Sequence, residues 1–410
     1  MAARFGVGDR SGGSGGFFSP DRAAARDYAW GGRVTWPRLL LRIALCGALL
    51  YGVDIAVTRT LVPAATYERH YRLPRELPTA SLADFVASIN AASLRKQGGP
   101  IVAFLGASPT WGHRITDPAN TFPSAFESAG VSAGWPNRTY NLASNGQFLS
   151  DEYFIAKALV DDVDVVYVQL TYHTFNPTTR GTSVVRYPEI PQLLGVDVSA
   201  PEAALLGVKP TAADATSRLD TTMSRYWLLW RERDALDRRL FGGAPRQMLS
   251  GGTGVARSSL TSLPPDAQSA GNLGSLDDLP PAQRMIAISR YAENSQFDLS
   301  PNDSEVTFLR MLVTMLGAHG KKAVFFVSPL NRQVIDDYEL IPPKQYAATI
   351  AMIRSIVEAG GFRFIDPNSG VTLVPSEDFS DISHTTDEGG LVFGGQLYQD
   401  TWSYLGAKKP

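Results

Sequence analysis

The residues able to do chemistry sit in a few short stretches. In "AFLGASPTWGHR", residues 103–114, an apolar run stops at Gly106 and a serine, Ser108, follows two positions later. A serine hydroxyl is a weak nucleophile until a base takes its proton. A serine held at such a turn therefore needs an imidazole from elsewhere in the chain; otherwise it is simply part of a tight turn. Five histidines are available. His70 lies in the charged stretch "ERHYRLP", and His319 ends a helix-like segment before Gly320, where a cation suits the helix dipole. His113 and His173 lie close to the segments expected to form a site. His384 stands apart because Asp381 precedes it by three residues in "DFSDISHTTDEGG". Such a D-x-x-H turn can aim its carboxylate at Nδ1 while Nε2 faces the serine, which fixes the tautomer and stabilises the imidazolium formed during attack. Alone, D-x-x-H arises often by chance; combined with Gly106-Ala107-Ser108 it points to acyl chemistry on a serine. There is no H-x-x-x-H pair and no carboxylate–histidine cluster beyond Asp381 and His384, so neither a metal nor a cofactor is expected.

These residues need a frame to hold them. The stretches "IVAFLG" (101–106), "TYNLAS" (139–144), "DVVYVQL" (164–170), "AVFFVSP" (323–329) and "FRFID" (362–366) read as strands. Between them, "FLSDEYFIAKALVDD" (148–162), "SEVTFLRMLVTMLGAHGKK" (304–322) and "QYAATIAMIRSIVEAGG" (345–361) have helical spacing. Strands alternating with helices predict βαβ units and a parallel sheet covered on both faces. Ligands of such sheets bind beyond the carboxyl ends of the strands. Ser108, "NLASNGQ" (141–147), "QLTYHTFN" (169–176) and the D-x-x-H segment all fall there. Between about 172 and 300 the rhythm is lost. That insertion holds a helix-like "TTMSRYWLLWRERDALDRRLFG" (221–242), packed on its own domain or laid on a membrane surface, and a Gly/Ser/Pro-rich span from 243 to about 280.

Gly106-Ala107-Ser108 near the start of the domain, "YNLASNG" after the second strand and "DISH" before a last helix resemble the SGNH/GDSL hydrolase superfamily. The resemblance covers roughly residues 100–170 and 304–405. It implies a flavodoxin-like three-layer α/β/α sandwich with Ser108 as nucleophile, His384 as base and Asp381 as its orienter. Gly146 and the Ser108 amide would donate backbone N–H groups to the oxyanion. The family usually adds an Asn side chain after the third strand, in a G-x-N-D setting. This chain has Thr171-Tyr172-His173 instead, with Asn176 further on. His173 is the favoured substitute donor, on the reasoning that in an extended chain Thr171 and His173 face one way and Tyr172 the other. The layout as a whole resembles membrane-anchored members that modify cell-surface polymers, of the teichoic acid D-alanyl transfer and exopolysaccharide O-acetylation types. That likeness implies an acyl donor, a glycan acceptor and a multispanning membrane O-acyltransferase as partner.

Composition sets the remaining bounds. The 410 residues are 44% hydrophobic and 19% charged with a net charge of −2, so no basic excess exists to neutralise nucleic-acid phosphates. The one cysteine, Cys46, excludes a disulfide framework. Residues 1–35 read as a disordered cytoplasmic tail, 36–62 as a single transmembrane helix, 63–98 as a connector with one short helix, and 99–410 as the catalytic domain. The uncharged core of the anchor, residues 43–53, is shorter than the ~20 residues that span a bilayer, and widening it to 39–57 takes in Arg42 and Asp54. A signal peptide fits poorly: the segment starts late and "VTRTLVP" is no small-x-small cleavage site. Leu45 before Cys46 argues against a lipoprotein site. The expected location is the inner membrane, single-pass, with the globular domain periplasmic or extracellular. Three functions fit: a surface serine acyltransferase, an extracytoplasmic esterase or deacylase, and a non-catalytic subunit of a polysaccharide-modifying complex.

Overall fold

The computed structural model describes residues 36–61, 99–177, 185–207, 279–370 and 373–407, with scattered positions between them. The tail 1–35, most of the connector and most of the 221–280 stretch lie outside the described residues. Helix α1, Trp36–Leu61, carries a 19-residue stretch, Trp36–Asp54, long and apolar enough to cross a membrane. From the connector, Leu82, Val86 and Ile89 are helical and buried, and their spacing marks one apolar helix face.

Five strands form one parallel sheet: β1 Ile101–Leu105, β2 Arg138–Asn141, β3 Val165–Leu170, β4 Lys322–Val327 and β5 Arg363–Ile365. They lie in the order β2-β1-β3-β4-β5, the flavodoxin-like winding. After α1, the helices with described bounds begin with α2 Ser108–Trp111, α3 Phe122–Ser132, α4 Leu149–Leu159, α5 Ile190–Leu193 and α6 Ala200–Leu206. Next come α7 Pro281–Ser295, α8 Ser304–Ala318, α9 Arg332–Asp337, α10 Pro343–Ala359 and α11 Asp387–Leu405.

Side-chain alternation along the strands makes two cores. On one face Ala103, Leu105, Val166, Val168, Phe325 and Val327 pack under α4, α8 and α10. On the other, Val102, Phe104, Val165, Tyr167, Val324 and Phe326 pack under α3 and α11. Phe104 and Tyr167 stack at 4.5 Å, with Phe126 of α3 edge-on to Phe104 at 5.4 Å. The result is a three-layer α/β/α sandwich.

β2 is shorter than its apolar run suggests, ending at Asn141 rather than Ser144. Asn141 bends the chain there, its Oδ1 accepting from Ala143 N and its Nδ2 donating to Thr110 O. In this winding α3, which follows β1, covers one face of the sheet and α8, which follows β3, covers the other. That opens a crevice above the carboxyl ends of β1 and β3. Ser108 begins α2 three residues after β1 ends, at the rim of that crevice.

Candidate active site

The Ser108 turn is built by close approach. A Cβ on Gly106 would stand 2.6 Å from Gln169 Oε1 and 2.7 Å from Gln169 Cβ, so only glycine lets the turn lie against β3. After it, Trp111 N donates to Ala107 O and His113 N to Ser108 O, closing the single turn of α2. Pro109 costs no hydrogen bond, because the first N–H groups of a helix have no internal partner.

The base arrives from the far end of the chain. Residues 378–386 fold back on themselves: Ser380 N donates to His384 O, and Thr386 N to Asp378 O. Asn331 N reaches across to Ile382 O. Inside this loop Asp381 Oδ1 accepts from Ser383 N and His384 N, both at 2.8 Å. Its Oδ2 lies 2.7 Å from His384 Nδ1, and His384 Nε2 lies 2.8 Å from Ser108 Oγ. The structure thus brings together three of the residues singled out in the sequence, in one relay. Burial alone would raise the Asp381 pKa, but the facing His384 charge and the hydrogen bonds from His384 and Ser383 outweigh it. The carboxyl is held well below the usual carboxylate range. Asp381 therefore stays ionised at any physiological pH.

The loop is anchored just downstream by Asp387, the first residue of α11. It accepts from Thr116 N, Thr116 Oγ1, Asp117 N and Asn120 Nδ2. His113 packs against His384 with ring centroids 4.5 Å apart, filling one side of the imidazole.

Gly146 lies in the turn after β2 with φ +75°, a conformation that favours glycine. That turn is tied to the Ser108 turn through Ser144 N, which donates to Gly106 O. Tyr187 OH holds it from outside by donating to Asn145 O, and Arg186 Nε lies 3.6 Å from where a Gly146 Cβ would stand.

His173 departs from expectation. After β3 the chain coils at once into a 3-10 turn, Tyr172–Phe175, so the alternation of an extended strand does not apply. Ser295 Oγ spends its hydrogen on Tyr291 O and so accepts from His173 Nε2, at 2.7 Å. Burial lowers the His173 pKa to about 4, leaving a neutral ring with one N–H, and that N–H is already used. Tyr172 and Asn176 are similarly engaged, while Thr171 Oγ1 accepts from Gln169 Nε2. Tyr172 OH donates to Ser295 O and Asn176 Nδ2 to Asn294 O. These side chains fasten α7, a helix of the insertion, to the segment after β3. Tyr291 on α7 is partly buried with its hydroxyl oxygen covered; that hydroxyl's pKa is raised well above normal by burial and then by the Asp381 charge, so the insertion backs the base loop.

Two features escaped sequence reasoning. One is α7 within the insertion. The other is Gln169, a buried carboxamide in an otherwise apolar strand, whose polarity in that setting was the available signal. Among the described residues, no group of three or more His, Cys, Asp and Glu could hold a metal ion.

No family model matches the chain, and no curated protein matches it. Among solved structures it is similar to a carbohydrate acetylesterase family member from Sinorhizobium meliloti, at 11% identity and TM-score 0.32, covering 75% of this chain and 99% of that one. A family two carbohydrate esterase from Clostridium thermocellum in complex with cellohexaose is similar at 9% identity and TM-score 0.33, covering 76% and 66%. An acetyl-xylooligosaccharide esterase from Geobacillus stearothermophilus is similar at 11% identity and TM-score 0.34, covering 76% and 96%. Likeness at this level adds nothing to the geometry, and the chemistry of the site rests on the side chains themselves.

Proposed function

We propose that the protein is a membrane-anchored serine acyl-transfer protein acting on a cell-surface polysaccharide or glycopolymer through an acyl-serine intermediate. The observation that carries this reading is the unbroken relay from Ser108 Oγ to His384 Nε2 at 2.8 Å and from His384 Nδ1 to Asp381 Oδ2 at 2.7 Å. In the first step Ser108 Oγ attacks the acyl carbonyl while His384 Nε2 takes the hydroxyl proton, and Asp381 stabilises the imidazolium. The Ser108 and Gly146 amides would receive the oxyanion. Collapse breaks the acyl–donor bond, and His384 returns the proton to the leaving group. In the second step the same base takes the proton of an incoming glycan hydroxyl, which attacks the acyl-serine; collapse breaks the acyl–Ser108 bond and His384 returns the proton to Ser108 Oγ. Helix α1, long and apolar enough to cross a membrane, supports anchoring, and a multispanning membrane partner would deliver the acyl group. Protease added to intact spheroplasts would test the outward orientation.

Labelling with a serine-directed fluorophosphonate tests the first step, with Ser108→Ala as control. The labelled peptide should contain Ser108. Incubating the protein with an activated acyl ester and a glycan acceptor tests the second: acylated glycan supports transfer. Free acid alone assigns the protein as a deacylase, and a folded protein that takes no label is a non-catalytic subunit.

A further inference from the structure

We propose that Gln169, acting through Ser328 and Asn368, is the positioning strut that sets the Ser108 turn against the His384 loop; the proposal rests on the acyl-serine reading above. Gln169 is buried near the end of β3 and uses all four hydrogen-bonding positions of its carboxamide. Oε1 accepts from Ala107 N at 3.2 Å and Thr110 N at 3.1 Å. Nε2 donates to Thr171 Oγ1 at 2.9 Å and Ser328 Oγ at 2.6 Å. The two amides it takes flank Ser108, so one oxygen grips the nucleophile turn on both sides. It leaves the Ser108 N–H, the donor between them, unconsumed.

The other end of the carboxamide leads to the base. Ser328 follows β4, and its carbonyl accepts from Asn368 Nδ2 at 2.9 Å. Asn368 Oδ1 accepts from Leu330 N at 2.8 Å, and the next residue, Asn331, donates its N–H to Ile382 O at 2.9 Å. Ile382 is the residue after Asp381. A continuous buried path thus runs from the amides beside Ser108, across β3 and β4, to the loop that carries His384. Apolar packing fixes the sheet, but a nucleophile and base 2.8 Å apart need closer registration, and a misplacement of ~1 Å costs about 10²-fold in rate. Buried, fully satisfied polar networks supply registration of that kind.

The test compares fluorophosphonate labelling of full-length wild type, Gln169→Met and Gln169→Glu, with thermal denaturation of the same samples. Methionine keeps the length and bulk and removes every hydrogen bond. Glutamate keeps an acceptor for both amides, and the Ser328 and Thr171 hydroxyls can turn to donate to it. Folded Gln169→Met should reach a maximal labelling rate about 10²-fold lower, with the half-saturating probe concentration unchanged. Gln169→Glu should recover most of that rate, which a purely steric role would not produce. Should Gln169→Met fail to fold, Ser328→Ala cuts the strut at one hydroxyl and should also slow labelling. A labelled wild type with equally fast Gln169→Met or Ser328→Ala refutes the strut alone. A folded wild type that takes no label refutes the acyl-serine reading, and the strut with it.

Discussion

Asparagine in place of Asp381 keeps the shape of the side chain and exchanges one oxygen for an amide nitrogen. In the wild type, Oδ1 is fixed by two backbone N–H groups, from Ser383 and His384, at 2.8 Å each. An asparagine carbonyl would keep those two bonds, which forces its NH2 into the place of Oδ2, 2.7 Å from His384 Nδ1. Two N–H groups cannot face each other, so the imidazole must turn its Nδ1 lone pair to the amide and carry its proton on Nε2. Nε2 would then donate to Ser108 Oγ instead of accepting its hydrogen, and the base is lost while the geometry survives. Fixing the wrong tautomer in this way costs ~10⁴-fold in rate, or ~5 kcal/mol of transition-state stabilisation. The assay is the second-order rate of fluorophosphonate labelling at neutral pH, with circular dichroism confirming an intact fold. Labelling of Asp381→Asn within about tenfold of wild type would show that the relay does not activate the serine.

Other outcomes follow from the same geometry. Burial raises the Asp151 pKa from 3.8 to about 7, so its stabilising effect is complete below pH 3.8 and is lost as pH rises towards 7. The full difference is at most about 4 kcal/mol. Asp151→Asn should flatten that part of the stability–pH curve measured by chemical denaturation, and an unchanged slope would contradict the assignment. Asp381, with its pKa depressed, acts in the opposite sense: its contribution is present above pH 3.8 and is lost on further acidification. His173→Ala should lower stability by about 1–3 kcal/mol through loss of the α7 contact and leave labelling within about tenfold. A hundredfold loss with stability intact would restore an oxyanion role to that ring. Phe126→Ala should cost about 3–5 kcal/mol in denaturant titrations, because the ring is fully buried among Phe104, Tyr167 and Tyr398.

The sequence made the sheet legible because its strands are short apolar runs separated by helical periodicity, and each was placed within a few residues. The exception, the carboxyl end of β2, turned on a side chain: Asn141 accepts from Ala143 N, and the strand ends there although Leu142 and Ala143 continue the run. Asp381 and His384 were legible because three residues of spacing is a local constraint. The segment after β3 was not. Its side chains answer to α7, more than a hundred residues further on, as the bond from His173 to Ser295 shows. The bonds of Gln169 are not legible for the same reason, since its partners Ala107, Thr110 and Ser328 come from two other strand ends. The helix expected at 221–242 falls mostly outside the described residues.

Ser108 and His384 are 276 residues apart, and the base loop is held in place by α11, the last helix of the fold. The order of synthesis follows from that distance. The nucleophile turn and the first three strands leave the ribosome long before the base exists. They are joined to it only after β4, β5 and the D-x-x-H loop have been added and α11 has closed over α3. Until then the Ser108 hydroxyl has no His384 imidazole beside it. A chain that ended between β5 and the D-x-x-H loop would keep all five strands and lack the base. On the acyl-serine reading, the chemistry would be switched on only by the completion of folding.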